Sequence, residues 1–133
     1  MNLALDASAV IALLRSEPGA EVVEQLILDS ANVSYMHAIN ACEVYYDALL
    51  VGNEEEAEAI LRDIKSWGVI VSEEMDEALW LESARNKAYL RLPLGDCFLL
   101  AMAGRIGGEV VTADRGDLEP VAALGKFPIR FIR

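Results

Sequence analysis

Four acidic residues stand where surface charge explains them poorly. Asp6 directly follows the short apolar run Asn2–Leu5, and Asp114 follows the strand-like pair Val110 and Val111. Glu43 lies between Cys42 and Val44 in a mostly apolar stretch, and Asp96 lies between Gly95 and the apolar run Cys97–Leu100. A carboxylate in apolar surroundings is costly unless it is paired or bound to a metal, and no basic residue stands one helical turn from Glu43. Carboxylates that converge repel one another and hold their protons more tightly. A hard cation removes that conflict, and an all-oxygen ligand set is what Mg²⁺ or Mn²⁺ prefers. The chemistry in prospect is therefore that of a divalent-metal site.

Polar neighbours fit such a site. Asn40 precedes Glu43 by three residues, hence shares its helical face, and is placed to position that carboxylate or a water beside it. Ser8 and Thr112 stand two residues from Asp6 and Asp114 and can hold them through their hydroxyls. Each acid also has a purely structural reading. Asp6 and Asp96 suit helix caps, Asp114 suits a turn, and Glu43 an outward helix face. Asp117 reads first as a helix N-cap and second as an additional ligand, and Asp47 as solvent-facing. His37, the only histidine, has no evident companion and reads as structural, which leaves nucleophilic serine or cysteine chemistry without support.

For the four acids to meet, strands and helices must alternate. The run Asn2–Leu5 reads as a buried strand and Ala7 to Leu14 as a helix capped by Ser8. After the Pro18-Gly19 break, Val22, Val23, Leu26 and Ile27 have helical spacing, and Asn32 to Met36 reads as a strand. A third helix runs from His37 to Val51. A fourth opens on Glu54, Glu55, Glu56 and Glu58, acids that favour a helix N-terminus. Val69–Val71 is the next strand. Ser72 then caps a helix, rich in acids at its start, that reaches Leu90. Asp96 opens the sixth helix, Glu109–Thr112 is a strand, Asp117 to Leu124 a short helix, and Pro128 to Ile132 a last strand. This alternation predicts a three-layer α/β/α sandwich with a mainly parallel central sheet. Ligands bind such sheets in the crevice outside the carboxyl ends of the strands, where Asp6 and Asp114 fall.

A chain of 133 residues is expected to form one domain, 1–133. At 54% hydrophobic and 25% charged it is not a disordered chain. No apolar run nears the roughly 20 residues that span a bilayer, and Asp6 interrupts the first apolar run, so neither a membrane segment nor a signal peptide is expected. Cys42 and Cys97 read as buried reduced thiols, and the cytoplasm is the expected compartment. A formal charge of −11 excludes a general electrostatic attraction to nucleic acid. Bound divalent cations and a few local basic residues can still reverse the sign at one site.

The order Leu5-Asp6-Ala7-Ser8 after an N-terminal strand, Glu43 in a mid-chain helix, Leu94-Gly95-Asp96 opening a helix, and Val111-Thr112-Ala113-Asp114-Arg115 after a strand resembles the PIN-domain ribonucleases. Among them it looks most like the VapC-type toxins of bacterial and archaeal toxin–antitoxin pairs. The likeness runs over nearly the whole chain. Each motif is short, and the specificity lies in four of them in order. The resemblance implies a Mg²⁺- or Mn²⁺-dependent endoribonuclease, a hydrolase of phosphodiester bonds. It puts the family's acidic ligands on Asp6, Glu43, Asp96 and Asp114, and supporting polar residues on Ser8, Asn40 and Thr112. It also implies a homodimer inhibited by a cognate antitoxin whose tail often places a basic residue in the acidic pocket. Relatives commonly carry an apolar residue where this chain has Asp117, and some carry an acid one step earlier, where Gly116 stands.

On this reading Asp6, Asp96, Asp114 and Glu43, with Asp117 secondary, hold one or two ions that activate water for in-line attack on RNA. Arg15, Arg91 and Arg115, basic and near the acidic loops in sequence, are the candidate phosphate contacts. Two rivals belong beside it. A non-catalytic protein of the same fold would use the carboxylates to dock a basic partner peptide. A phosphoryl-transfer enzyme with Asp6 as nucleophile would want a second acid where Ser8 stands.

Overall fold

The computed structural model describes residues 1–133. Leu3, Ala4 and Leu5 of β1 (Asn2–Leu5) are all fully buried, as are Val110 and Val111 of β4 (Glu109–Thr112). Strands that are apolar on both faces belong inside a parallel sheet covered by helices on each side. That sheet has five strands in the order β3-β2-β1-β4-β5, all parallel, with β2 at Val33–His37, β3 at Ile70–Ser72 and β5 at Ile129–Phe131. Alternate side chains divide the core. Leu3, Leu5 and Val111 pack with α1 (Ala7–Leu14), α2 (Ala20–Leu28), α3 (Ala38–Val51) and α4 (Glu54–Ser66). Ala4 and Val110 pack with α6 (Leu94–Ile106) and α7 (Arg115–Ala122) on the opposite face. α5 (Glu77–Leu90) lies against α6, where Leu79 meets Phe98 and Ala101. The expected α/β/α sandwich is thus observed, with a wholly parallel sheet.

The chain order makes β1 and β4 the pivot. From β1 the chain builds outward through β2 to β3, then returns to lay β4 against the other edge of β1. Leu5 stands opposite Val111, so the two carboxyl ends are flush. This is the switch point where an open α/β sheet leaves a crevice.

Several boundaries differ from the sequence expectation. Asp6, not Ser8, caps α1 by accepting from the Ala9 N–H at 2.9 Å. Asp114, not Asp117, caps α7, which begins at Arg115. α6 starts at Leu94, so Asp96 lies in its first turn and is no cap. Ser72 completes β3, pairing with His37, and Asp76 caps α5 instead. The acids before Asp76 form a loop tied down from afar: the His37 Nε2–H donates to the Glu74 carbonyl at 2.9 Å, and Arg105 pairs with Glu74 and Asp76. His37 is structural, as expected, since its Nδ1 accepts from the Ile39 N–H and its ring stacks on Phe98. Cys42 is exposed, contrary to expectation, because α3 buries Asn40, Ala41, Val44 and Ala48 and turns the Cys42 position outward; Cys97 is buried. No helix is long and apolar enough to cross a membrane.

Candidate functional site

A hollow of about 230 Å³ opens beyond the carboxyl ends of β1 and β4. Asp6, Glu43, Asp96, Asp114 and Asp117 line it, with Ser8, Asn40, Ala7 and Pro93 filling the wall between them. Larger hollows lie elsewhere, one of about 510 Å³ framed mainly by apolar side chains such as Leu13, Ile27 and Trp67. Size does not mark the site; the convergence of five carboxylates does.

Asp6 is the most constrained of them. It is 4% exposed. Its Oδ1 accepts from the Ala9 N–H at 2.9 Å and from the Ser8 hydroxyl at 2.7 Å, and its Oδ2 accepts from the Thr112 hydroxyl. The two hydroxyls in turn accept from the β4 side: Ser8 Oγ from the Ala113 N–H and Thr112 Oγ1 from the Asp114 N–H, both at 2.9 Å. Sequence spacing assigned Thr112 to the Asp114 carboxylate. The structure gives both hydroxyls to the Asp6 carboxylate, and Asp114 receives only a backbone tie. The network pins the ends of β1 and β4 together and fixes where Asp6 points.

Glu43 comes from α3 and Asp96 from the first turn of α6. Asn40 Nδ2 donates to Glu43 Oε1 at 3.0 Å and to the Gly95 carbonyl at 3.2 Å, joining the two helices. The spacing-based pairing of Asn40 with Glu43 is observed. The contact of the Gly95 carbonyl with α3 was not anticipated, because it joins residues 55 apart in the chain. Asp96, Asp114 and Asp117 each offer an oxygen within 4.8 Å of the other two. Asp117, which the sequence ranked as a cap, is therefore among the acids that approach most closely.

The electrostatics follow from this crowding. Burial pushes Asp6 above the ordinary aspartate range, against the opposing bonds from Thr112, Ala9 and Ser8. Glu43 is raised by burial. Asp96 is pushed up to about 7, by burial first and then by Asp6, Asp114, Glu43 and Asp117. Asp117 is raised by desolvation and by Asp114. No basic side chain pairs with these acids. The chain's seven ion pairs use other acids, namely Glu17, Asp47, Glu74, Asp76, Glu82, Glu109 and Glu119.

Two of the three arginines read as phosphate contacts are engaged elsewhere. Arg15, at the far end of α1, pairs with Asp47. Arg115 donates to the Arg133 carbonyl at 2.7 Å and lies over the Phe131 ring, 4.5 Å from its centroid. Its partners are 16 and 18 residues along the chain, too remote for local spacing to reveal. Arg91 is exposed, forms no ion pair, and caps α5 two residues before Pro93.

The donor set suits a hard divalent ion. Every polar side-chain atom facing the hollow is a carboxylate, amide or hydroxyl group, with no thiolate or imidazole. Asn40 Oδ1, buried and without a hydrogen-bond partner, supplies a further acceptor at this wall. An ion or its water shell would answer both the repulsion and the unpaired acceptor.

Comparison with known proteins agrees with the fold. The sequence profile of the family described as PIN domain matches residues 3–124. Among solved structures, VapBC-1 from nontypeable Haemophilus influenzae aligns with a TM-score of 0.73 at 19% identity, covering 99% of this chain and 98% of that one. A toxin–antitoxin complex from Klebsiella pneumoniae aligns at 0.72 and 16% identity, covering 98% of each chain. VapC20 from Mycobacterium tuberculosis, described as a Sarcin-Ricin loop cleaving toxin, aligns at 0.72 and 15% identity, covering 94% of this chain and 95% of that one. At such identities the likeness is one of fold. No curated protein sequence matches the chain.

Proposed function

Because the chain belongs to the PIN-domain family, we propose that it is a divalent-metal-dependent endoribonuclease and the toxin of a toxin–antitoxin pair. The observation that carries the proposal is the meeting of five carboxylates, with no cation paired to any of them, in one hollow at the switch point of the sheet. Asp6, Asp96 and Asp114, with Glu43 and Asp117, would hold Mg²⁺ or Mn²⁺. When bound, such an ion supplies activation of water and neutralisation of charge on a phosphodiester.

The chain's own residues do the placing. Ser8 and Thr112 hold Asp6 by hydrogen bonds from both sides. Asn40 holds Glu43. Asp114 keeps one oxygen on the Asp117 N–H as the cap of α7, and this fixes its rotamer. Asp96 has no such tether and faces the other acids directly, which with burial raises its proton affinity. Arg91 is the one of the three candidate arginines free to meet a phosphate at the rim. Partners on this reading are RNA, a cognate antitoxin and a second copy of the chain, at work in the cytoplasm. A Klebsiella structure of the same fold is a toxin–antitoxin complex and a Mycobacterium one is described as a Sarcin-Ricin loop cleaving toxin, which supports the antitoxin and the substrate on this reading.

The test is cleavage of single-stranded and structured RNAs with Mg²⁺, with Mn²⁺ or with EDTA. Asp6→Asn and Asp96→Asn are each expected to lower metal-dependent cleavage by at least about 100-fold, on the order of the 3 kcal/mol such electrostatic groups supply. Full activity in either variant would overturn the assignment. The unanswered charge of the hollow also favours a second reading, a non-catalytic domain that docks a basic peptide there. It predicts tight peptide binding and no turnover on any RNA.

A further inference from the structure

Gly95 is the second residue of α6, and its backbone lies outside the left-handed region, so any residue could adopt its conformation. Glycine is the poorest helix former after proline, so a helical position that keeps it needs another reason. The surroundings provide one. A Cβ built on Gly95 would lie 2.1 Å from Glu43 Oε1 and 2.9 Å from its Cδ. The Glu43 carboxylate rests directly on the bare Cα.

Asn40 holds it there. Its two amide hydrogens go to Glu43 Oε1 and to the Gly95 carbonyl, at 3.0 and 3.2 Å. Turning the amide over would set its oxygen against two acceptors, so the orientation is fixed. Asn40 is 1% exposed and lines the same hollow as Glu43 and Asp96. Its Oδ1 is the one buried side-chain nitrogen or oxygen in the molecule without a partner.

We propose that Gly95 is a positioning residue: residue 95 is glycine to admit the Glu43 carboxylate that Asn40 holds, which closes a clasp between α3 and α6 and sets Glu43 against Asp96. The clasp rests on the nuclease reading only in that Glu43 then serves a metal-dependent site. A side chain at position 95 would push the carboxylate off its seat without disturbing the helix. Groups that orient a metal-site residue typically change metal affinity by about 10–100-fold when removed.

A double-mutant cycle with Glu43→Asp tests this, because withdrawing the carboxylate by one methylene makes room for the new methyl group. Gly95→Ala alone is expected to weaken Mn²⁺ binding, measured by calorimetry, by about 10-fold or more. In the Glu43→Asp background the same change should alter Mn²⁺ affinity by less than about 2-fold. In metal-free protein, Gly95→Ala should raise Tm by about 3 °C in the Glu43→Asp background, where the helix gains alanine without a clash. In the wild-type background it should raise Tm by less. Equal effects of Gly95→Ala in the two backgrounds, on affinity and on Tm, would overturn the clasp. A wild-type protein that binds Mn²⁺ yet cuts no RNA would instead overturn the nuclease reading and leave the clasp standing. If the wild type bound no Mn²⁺, the Tm cycle alone would decide the clasp.

Discussion

Among single residues, Asp96 shows best how far the hollow is a compromise. Its carboxylate has no donor from the protein and shares its space with four other acids, which with burial push it up to about 7. A carboxyl group held above its unfolded value costs nothing below about pH 4, where it is protonated in both states. It destabilises the fold increasingly as pH rises through the interval to about 7. In the absence of divalent ions, Asp96→Asn is therefore expected to be more stable than the wild type at pH 8, by on the order of 2 kcal/mol, and equal to it near pH 4. Chemical denaturation at the two pH values measures this, and a variant less stable at pH 8 would contradict it. The same substitution should remove cleavage, the usual exchange of stability for a working site. The acids themselves were legible in the sequence because a charge in an apolar run lacks a cheap structural explanation. Their partners were less so. Thr112 reaches back 106 residues to Asp6, and Arg15 spends its charge on Asp47, 32 residues away. Pairings of that range follow from the sheet order and not from local spacing.

At the scale of elements, capping a helix and lining the hollow do not exclude one another. Asp6 caps α1 and Asp114 caps α7, and both face the hollow. A helix entered from the carboxyl end of a strand needs an acceptor at its first turn, and the crevice opens at that same turn. Asp114 gives one oxygen to the helix and keeps the other for the hollow, whereas Asp6 caps with Oδ1 and takes the Thr112 hydroxyl on Oδ2. The sequence located these strand–helix joints to within one or two residues. It missed that Ser72 belongs to β3, because the loop before α5 is organised by His37 and Arg105 from other elements. The joint between β1 and β4 invites its own test. Thr112→Val keeps the shape but removes the donor to buried Asp6 and the acceptor for the Asp114 N–H. It is expected to cost about 1–3 kcal/mol of stability and to weaken Mn²⁺ binding by about 10-fold or more. Asn53→Ala, which removes the cap of α4 away from the hollow, should cost about 1 kcal/mol and leave Mn²⁺ binding unchanged. Equal effects of the two variants on metal affinity would show that the joint does not orient the acids.

For the whole molecule, charge and proposed substrate pull in opposite directions. The layers could be read from alternating apolar runs, since each strand buried on both faces demands helices on both sides; the order of the strands could not. The net charge of −11 was equally plain, but how little basic surface remains free was not. Of the eight arginines and three lysines, Arg15, Arg85, Arg105, Arg115, Arg130 and Arg133 are each in an ion pair and Lys87 donates to the Leu92 carbonyl, which leaves Arg62 and Lys65 on α4, Lys126, and Arg91, two residues before Pro93 of the hollow. If the nuclease reading holds, RNA is drawn to the divalent ion and to very few side chains. Single-stranded nucleic acid releases about 0.7 counterion per phosphate neutralised by a protein cation. A protein making one or two such contacts should therefore show a slope of log kcat/KM against log monovalent salt no steeper than about −2 at fixed Mg²⁺. Arg91→Ala should bring that slope closer to zero by about 0.7 and raise KM more than it lowers kcat. A slope as steep as about −5 would mean a basic surface that this chain does not carry alone, and would place RNA binding on an assembly with another molecule.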